Sequence, residues 1–505
     1  MTFNRPSLPT LRILRLPLIF SIAALLVGGF FALSIPFGHT EDEHVNMYRA
    51  YGVSRARLTT EVVSSYAADG STVRFYGLKN IPTNLITLEV AGNISRNKSA
   101  CTIGTHTHPG ITTTDRHYSD AGCKKTPASL KHDIQLAADR PLDKHAINIA
   151  ATGGSSGYSF LGYLPGAAGF FIAQLLNTTA GEAVHLARIT SLLAYIGLVA
   201  VALYILRSSR ARWLLLAAAL LPGSLVLAVT VNVDSVLLPC SLLFFALIVR
   251  AFQDKHTFTP LLKVLLLVTA IILPLLKAPY GTLSLAILFV PLYPKGMRGW
   301  LIRAGVIAII AIPALLFSIS VIDMDRSTSF IINPTAERSS TIMGVWALQH
   351  PLEFIQKLWE SFAVADWASG ISTLTHQRVR LPSFVNAFSY LTIAVAGLYA
   401  AQDFSRNKGR EYWRLSIALF LAGLFSAVAL PALTFARGHT MVDIIGAQGR
   451  YFIPMLPFIF LFLGLIIRPK MTVPPYAKWL FSGALCIILL LSMYWYYQLV
   501  FVWAV

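Results

Sequence analysis

Long apolar runs separated by short basic islands make up most of this sequence. The first run covers residues 16–36, and others recur towards the C-terminus. About 20 apolar residues in a helix cross the roughly 30 Å hydrocarbon core of a bilayer. Only 13% of the 505 residues are charged, about half of what the surface of a soluble chain needs. We therefore predict an all-α polytopic membrane protein.

About eleven helices are expected to cross the membrane. Their predicted bounds are 16–36, 184–206, 212–230, 235–252, 260–276, 280–294, 300–321, 385–402, 413–434, 451–467 and 478–500. The chain then divides into an N-terminal tail with the first span at 1–36, a polar loop with interfacial helices at 37–183, spans two to seven at 184–321, a second polar segment at 322–384, and spans eight to eleven at 385–505.

The basic islands set the expected orientation. Arginines at residues 5–15 precede the first span, which favours a cytoplasmic N-terminus and a retained anchor over a cleaved signal peptide. The apolar stretch 158–177 is interpreted as a helix at the outer interface, because counting it as a span would place the arginines of 207–212 outside. We expect a multi-pass protein of the cell's inner or plasma membrane. The remaining islands are then also cytoplasmic: 250–263, 295–303, 403–414 and 468–478.

The polar segment after the first span is predicted to be a mixed α/β insertion on the extracytoplasmic side. Thr72–Tyr76 and Leu85–Val90 have the composition of strands, and turn residues surround them. Cys101 and Cys123 lie in this segment, whereas the other two cysteines lie in apolar runs. In an oxidising compartment we expect this pair to form a disulfide, and two free thiols are the alternative.

Three consecutive acids, Glu41 to Glu43, directly follow the first span. Carboxylates this close to hydrocarbon are costly unless water, cations or a substrate meets them. The functional interpretation is a general base, or part of a cation site, at the membrane surface. The structural interpretation is a solvated helix start, where acids interact favourably with the helix macrodipole.

Basic side chains are predicted at the outer ends of three later spans: Arg188, Lys277 and Arg450. Arg can hold a phosphate through two parallel hydrogen bonds and Lys acts as a point charge, while the alternative role is a snorkelling anchor. Polar and aromatic residues beside them form the predicted substrate pocket: Tyr163, Asn232, Asp234, Tyr280 and Tyr451. For the tyrosines, the alternative is the aromatic belt of a membrane interface. Because all these positions face one side, we expect them to bind phosphate at the lipid boundary.

An ordered series of short motifs resembles a known bacterial membrane family. The motifs are Asp42-Glu43, Tyr48-Arg49-Ala50-Tyr51, Tyr163-Leu164-Pro165-Gly166-Ala167, Arg188, Asn232-Val233-Asp234, Lys277-Ala278-Pro279-Tyr280 and Gly449-Arg450-Tyr451-Phe452-Ile453-Pro454. In this order, over roughly residues 15–465, they resemble the multi-spanning family called domain of unknown function 2142. That family is similar to the C-type membrane glycosyltransferases, the GT-C fold, in which an acidic catalytic residue follows the first span.

By this resemblance, Asp42 and Glu43 are the expected catalytic carboxylates. The family pattern commonly has His four residues after the aspartate, and this chain has Asn46 there, which shifts the expected role to the carboxylates. The resemblance implies an enzyme, an inverting glycosyltransferase. It would move a monosaccharide from a polyprenyl-phosphate donor to an envelope glycan, lipid or protein acceptor outside the membrane.

The charge pattern narrows the expected partners. The net charge of +18 lies in islands between spans rather than in one domain, which argues against nucleic acid. Membrane lipids, the lipid-linked sugar and the envelope acceptor are the expected partners. No P-loop or dinucleotide-binding motif occurs, and we expect no cofactor and no metal, with a divalent cation on the acids as the open alternative. A flippase for a lipid-linked sugar is the main competing function, and a scaffold subunit is the third.

Overall fold

The chain is described by a computed structural model that is mainly helical. The described residues are 8–40, 43–66, 72–88, 103–108, 111–116, 127–143, 148–254, 257–326, 340–364, 373–375, 379–404, 409–435, 449–467 and 476–498. Numbered along the chain, the helices are α1 (Leu8–Ser34), α2 (Glu43–Ser54), α3 (Pro127–Asp139), α4 (Leu164–Leu176), α5 (Ala180–Ile205), α6 (Ala211–Ala219), α7 (Pro222–Val229), α8 (Asp234–Gln253), α9 (Pro260–Leu276), α10 (Met297–Arg326), α11 (Ser340–Gln349), α12 (Pro351–Val364), α13 (Ser383–Ala401), α14 (Arg410–Phe420), α15 (Ser426–Phe435), α16 (Leu456–Ile467) and α17 (Ala477–Tyr497).

Within these residues, eight helices are long and apolar enough to cross a membrane. They cover Arg15–Ser34, Ala180–Ile205, Asp234–Gln253, Met297–Val321, Ser383–Ala401, Glu411–Ala432, Gly449–Ile467 and Trp479–Tyr497. The pair α6 and α7 is bent by 61° and adds a ninth span if the two count as one. A helical protein with several membrane spans is therefore confirmed. The count of eleven stays a prediction, because the described helices at 260–276 and 278–289 are shorter than the usual spanning length.

The insertion after α1 contains a five-stranded sheet. Its strands are β1 (Glu61–Tyr66), β2 (Thr72–Ile81), β3 (Ile103–His108), β4 (Ile111–Arg116) and β5 (Asn148–Ala151), in the order β1-β2-β5-β4-β3. Neighbours are antiparallel except β4 and β5, which pair in parallel through Thr113 and Ile149. A two-stranded ribbon of β6 (Thr373–Thr375) and β7 (Val379–Arg380) lies in the second polar segment.

The predicted strand at Leu85–Val90 is wrong for its described part, because residues 83–88 are helical. Leu85 and Leu88 are both fully buried, and a spacing of three residues places them on one face of a helix. Asn84 fixes this turn, since its side chain accepts from the backbone N–H of Leu85 and donates to the carbonyl oxygen of Pro141. Burial at helical spacing therefore overrode the strand-like composition.

Helices α4 and α5 cross closely because a glycine lies at their contact. Helix α5 begins with a capping box between Thr179 and Glu182, which fixes its first turn directly after α4. A Cβ added at Gly169 of α4 would overlap the backbone of Ala187 in α5. On its other side α4 packs against α2, where the rings of Tyr51 and Phe170 meet edge to face at 5.8 Å. Gly169 therefore sets how α2, α4 and α5 assemble.

The chain after α9 runs back along that helix in short 3-10 and α-helical turns over residues 278–289. Gly281 lies against Pro274, and the hydroxyl of Ser284 donates to the carbonyl oxygen of Ala270 at 2.7 Å. Further on, Nε of Arg303 at the start of α10 donates to the carbonyl oxygen of Leu288. The end of α9 and the start of α10 therefore lie at different depths along this bundle.

The opposite end of the helices from the α1–α2 junction gathers several residues of the basic islands. The carboxylate of Asp403, just after α13, accepts from Ser209 Oγ at 2.9 Å and from Gln253 Nε2 at 3.1 Å. It also accepts from the backbone N–H of Arg210. Islands that the sequence placed on one side, at 207–212, 250–263 and 403–414, thus meet at one end.

The α4–α5 crossing gives a stability prediction. We expect Gly169→Ala to lower the melting temperature of the detergent-purified protein, because the added Cβ needs backbone displacement costing about 1–3 kcal/mol. Gly197→Ala in α5 is the matched control, since nothing lies within 4 Å of its added Cβ and Ala favours helix by up to about 1 kcal/mol. Equal melting of both variants would show that the close crossing is not needed.

Candidate functional site

A fully buried ion pair joins the end of α1 to the start of α2 and to α5. Arg188 donates through Nε and Nη2 to the two carboxylate oxygens of Glu43, at 2.9 and 2.6 Å. Neither side chain has exposed surface. Arg188 also donates to the carbonyl oxygens of Ala32, Ile35 and Pro36, where α1 ends. Because a buried charge is stable only when it is well paired, this network fixes how the three segments meet.

Glu43 and Arg188 therefore satisfy each other instead of facing an opening. The sequence predicted Glu43 as a catalytic base and Arg188 as a ligand of the donor phosphate. Both carboxylate oxygens of Glu43 are occupied by charge-assisted hydrogen bonds from Arg188, and neither side chain has exposed surface, so this geometry favours a positioning role for both residues. Asp42, the other expected base, lies outside the described residues.

A second ion pair lies where α8 begins and α9 ends. The ammonium of Lys277 is 2.6 Å from Oδ1 of Asp234, and the two side chains are 10% and 9% exposed. Lys277 Nζ also lies over the rings of Tyr158 and Tyr451, at 5.3 and 4.6 Å from their centroids. Burial lowers the pKa of the Lys277 ammonium, but the Asp234 carboxylate opposes this, and the pKa ends above its usual value. Lys277 is therefore a fixed positive charge at neutral pH.

Tyr451 connects Lys277 to a second cation. The guanidinium carbon of Arg450 lies 5.1 Å from the centroid of the Tyr451 ring, and Nη2 of Arg450 is 3.4 Å from its phenol oxygen. Tyr280, which is buried, donates from its hydroxyl to the carbonyl oxygen of Tyr451 at 2.7 Å. Because both cations contact one ring, their charges lie close together. Lys277, Arg450 and Tyr451 each keep part of their surface exposed.

Arg49 of α2 lies deeper, behind Tyr158. Its guanidinium carbon is 5.4 Å from the centroid of the Tyr163 ring. Nη2 of Arg49 donates to the carbonyl oxygens of Leu58 and Tyr158, at 3.1 and 3.4 Å. The Tyr163 hydroxyl donates to Oδ1 of Asn46 at 2.6 Å. Burial raises the pKa of the Tyr163 phenol, against the opposing charge of Arg49, so the phenol keeps the proton that it donates.

These contacts define what we call the cation–tyrosine cluster. Its members are Arg49, Tyr158, Tyr163, Asp234, Lys277, Tyr280, Arg450 and Tyr451. All but Arg49 and Tyr158 were predicted from the sequence. Arg49 stood in the Tyr48–Tyr51 motif that carried the family resemblance, which was the signal available for it. Nothing in the sequence singled out Tyr158.

The remaining predicted residues are placed differently. Asn232 directly precedes Val233, the N-cap residue of α8. Its side-chain oxygen accepts from the backbone N–H of Ser235 at 3.1 Å, and its carbonyl oxygen accepts from the hydroxyl of Ser235. It thereby orients the turn that carries Asp234. Cys101 and Cys123 lie outside the described residues, so their pairing stays a prediction. Across the described ranges, no three His, Cys, Asp or Glu side chains converge as a metal site requires.

The cluster is suited to binding an anion. It combines three cations with one carboxylate. Tyr158, Lys277, Arg450 and Tyr451 are partly exposed, while the other members, Arg49, Tyr163, Asp234 and Tyr280, are buried. Cationic donors in such a partly dry setting interact with a phosphate more strongly than they would in water. The tyrosine rings add flat apolar surface with polar edges beside the cations.

The Glu43–Arg188 pair gives a second stability prediction. We expect Arg188→Met or Glu43→Gln to destabilise the protein by roughly 3–5 kcal/mol, because each leaves one buried charge unpaired. The double variant Glu43→Leu/Arg188→Met should lose much less, since no charge remains. Thermal unfolding in detergent measures both effects.

The exposed pair between Lys79 and Glu61 is the matched control for that experiment. Its side chains are 50% and 49% exposed, so we expect Lys79→Met to cost about 1 kcal/mol or less. If Arg188→Met unfolded no more easily than Lys79→Met, the junction of α1, α2 and α5 would not depend on the buried pair.

Comparison with known proteins places the chain in a family. Searches of curated proteins and of solved structures find no match for it. A family model described as "Predicted membrane protein (DUF2142)" matches residues 25–459, a range that contains every member of the cation–tyrosine cluster. This match covers most of the chain and agrees with the resemblance drawn from the short motifs. The chain therefore belongs to the DUF2142 family of predicted membrane proteins.

Proposed function

We propose that this chain is a membrane glycosyltransferase of the C-type fold. It moves a monosaccharide from a polyprenyl-phosphate donor to an envelope glycan, lipid or protein. The observation that supports this most is the meeting of Arg49, Lys277 and Arg450 with tyrosine rings at one end of the helices, although these residues lie far apart in the sequence. Cations gathered at a helix end suit a phosphate whose lipid tail remains in the bilayer.

In this mechanism Lys277 and Arg450 bind the donor phosphate. As the bond between the anomeric carbon and the phosphate oxygen breaks, negative charge grows on the departing lipid phosphate. Two cations already fixed on the Tyr451 ring stabilise that charge without having to reorganise. Asp234 holds Lys277 in place at 2.6 Å before the donor arrives.

Asp42 is the proposed general base. The hydroxyl oxygen of the acceptor forms a bond to the anomeric carbon while its proton passes to the Asp42 carboxylate. Such a base typically contributes roughly 10²–10⁴-fold in rate. Direct displacement inverts the configuration at the anomeric carbon. Glu43 is assigned a positioning role, because its pair with Arg188 anchors the chain directly after Asp42.

A carrier or flippase for the same lipid-linked sugar is the competing function. Carriers commonly place their ionisable groups near the bilayer midplane, at broken helices. The cation–tyrosine cluster instead lies where α8 begins and α9 ends. Asp403, with its partners Ser209 and Gln253, lies at the other end of α8. This distribution favours chemistry at one surface over passage through the membrane. The proposal assigns no cofactor, and a chelator added to the assay tests for a divalent cation.

The proposed location of the site is the extracytoplasmic face of the cell membrane. Basic residues near cytoplasmic helix ends are the usual mark of orientation. The islands around Arg210, Arg250 and Asp403 lie at the end opposite to the cation–tyrosine cluster. In this orientation, the insertion that contains the sheet and the predicted disulfide lies on the oxidising side of the membrane.

A transfer assay tests the proposed function. The purified protein is reconstituted in liposomes with a radiolabelled polyprenyl-phosphate sugar and an acceptor extract from the cell envelope. We expect Asp42→Asn to lower the transfer rate about 10²–10⁴-fold. Lys277→Met and Arg450→Gln should each lower it about 10²–10³-fold, because each removes one of the two positive charges that stabilise the departing phosphate.

Arg207→Gln is the control variant for the transfer assay. Its guanidinium also lies over a tyrosine ring, Tyr204 at 4.7 Å, but at the opposite end of the helices. We expect it to transfer sugar at the wild-type rate. Normal transfer by the folded Asp42→Asn variant would remove the base assignment. Translocation of the labelled lipid without any transfer would favour the flippase.

Cysteine labelling tests the proposed orientation. In a variant without native cysteines, single cysteines replace Ala278, beside Lys277, and the exposed Lys295, just before α10. A membrane-impermeant maleimide added to intact cells should label position 278 and reach position 295 only after lysis. The reverse pattern would invert the orientation, and equal labelling of both positions would contradict a crossing between them.

A further inference from the structure

Arg49 is a buried cation for which the described residues provide no carboxylate partner. The residue is 1% exposed. Among the described residues, no hydrogen-bond acceptor is found for its Nε and Nη1 atoms, and no salt bridge includes it. Buried charges in folded proteins are normally paired, because an unpaired one loses its hydration without compensation. The charge of Arg49 therefore needs an explanation.

The known contacts of Arg49 do not require a positive charge. Its Nη2 donates to the carbonyl oxygens of Leu58 and Tyr158, and an uncharged amide NH₂ could donate in the same way. The Tyr163 ring attracts the guanidinium by a cation–π contact, which is weaker than pairing with an anion. Three N–H groups on Nε and Nη1 remain for another acceptor.

We propose that Arg49 is the inner half of an anion subsite that binds a phosphate group between Arg49 and Lys277. Tyr158 lies between these two cations, because its carbonyl oxygen accepts from Arg49 and its ring faces Lys277. It is half-buried, and its bond to Arg49 is long, at 3.4 Å. Movement of Tyr158, which directly follows the glycine-containing turn Gly153–Gly157, opens a path from the partly exposed Lys277 to Arg49.

Phosphate fits this subsite better than a simpler anion. It presents several strong acceptor oxygens, so it can accept from the spare N–H groups of Arg49 and from Lys277 at once. Lys277 is already partly neutralised by Asp234, so the uncompensated charge of Arg49 supplies most of the added attraction. That the phosphate belongs to a lipid rests on the proposed function. The subsite itself does not depend on it.

Binding of three small probes tests the subsite on the full-length protein in nanodiscs. The probes are geranyl phosphate, inorganic phosphate and the uncharged alcohol geraniol. We expect Arg49→Gln, which keeps an NH₂ donor but removes the charge, to raise the Kd of geranyl phosphate about 10- to 100-fold and to leave the Kd of geraniol unchanged. Arg49→Lys should recover part of the affinity, and Arg207→Gln at the opposite end should bind as wild type.

The probes also separate the two sources of phosphate. If inorganic phosphate binds with the same dependence on Arg49, the subsite takes free phosphate. If only geranyl phosphate shows that dependence, it takes a lipid phosphate. A Kd for geranyl phosphate that is unchanged in folded Arg49→Gln overturns the proposal, and so does an equal loss of geraniol and geranyl phosphate binding, which indicates a structural role.

A measurement on the wild-type protein covers the case in which the Arg49 variants do not fold. Phenylglyoxal modifies arginines that it can reach, and the movement of Tyr158 that admits phosphate to the buried Arg49 also admits this reagent. Mass spectrometry follows the peptide that contains Arg49. We expect slow modification of Arg49 in the free protein and at least several-fold slower modification with geranyl phosphate; no modification of the free protein, or no protection, overturns the proposal. Phosphate binding that depends on Arg49 without any sugar transfer would reject the transferase and keep the subsite. Transfer with no effect of Arg49 on binding would reject the subsite alone.

Discussion

The buried ion pair between Glu43 and Arg188 is the interaction on which the rest of this end of the protein depends. It ties the end of α1 to the starts of α2 and α5 in a place where neither charge reaches water. The pair thereby fixes the orientation of α2, which contains Arg49. The close crossing at Gly169 lets α4 pack tightly between α2 and α5. The Tyr163 ring therefore reaches the Arg49 guanidinium because the ion pair has set the junction.

The degree of pairing separates structural charges from charges available for binding. Arg188 is fully neutralised, by a carboxylate that takes two hydrogen bonds and by three backbone carbonyls. Lys277 has one carboxylate and two ring faces, and part of it is exposed. Arg49 has a ring face and two carbonyls. Neutralisation by the described residues thus decreases in the order Arg188, Lys277, Arg49.

Most residues of the cation–tyrosine cluster could be predicted from the sequence, because the predicted order of spans places them on one side of the membrane. Residues at the start of α8 and the end of α9 must share one end of the bundle when the two helices run antiparallel, and this brought Asp234 and Lys277 together. Partnerships within that end were not predictable, because Glu43 and Arg188 are far apart in sequence and nothing local reports their contact. The number of spans was also hard to predict around residues 278–289. This segment consists of short 3-10 and α-helical turns, and 3-10 turns do not follow the 3.6-residue period of an α-helix.

Asp234 has a physical reason to lie beside the proposed phosphate site. A largely buried Lys277 without a carboxylate would favour its neutral form or draw water into the contact with Tyr451 whenever the site is empty. Asp234 keeps the ammonium charged and oriented at the cost of some affinity for an incoming anion. Weaker binding of phosphate also favours its release, and the proposed transferase must release its lipid phosphate after each turnover. Partly neutralised cations therefore suit the proposed cycle of anion binding and release, whereas the fully paired Arg188 suits the fixed junction of α1, α2 and α5.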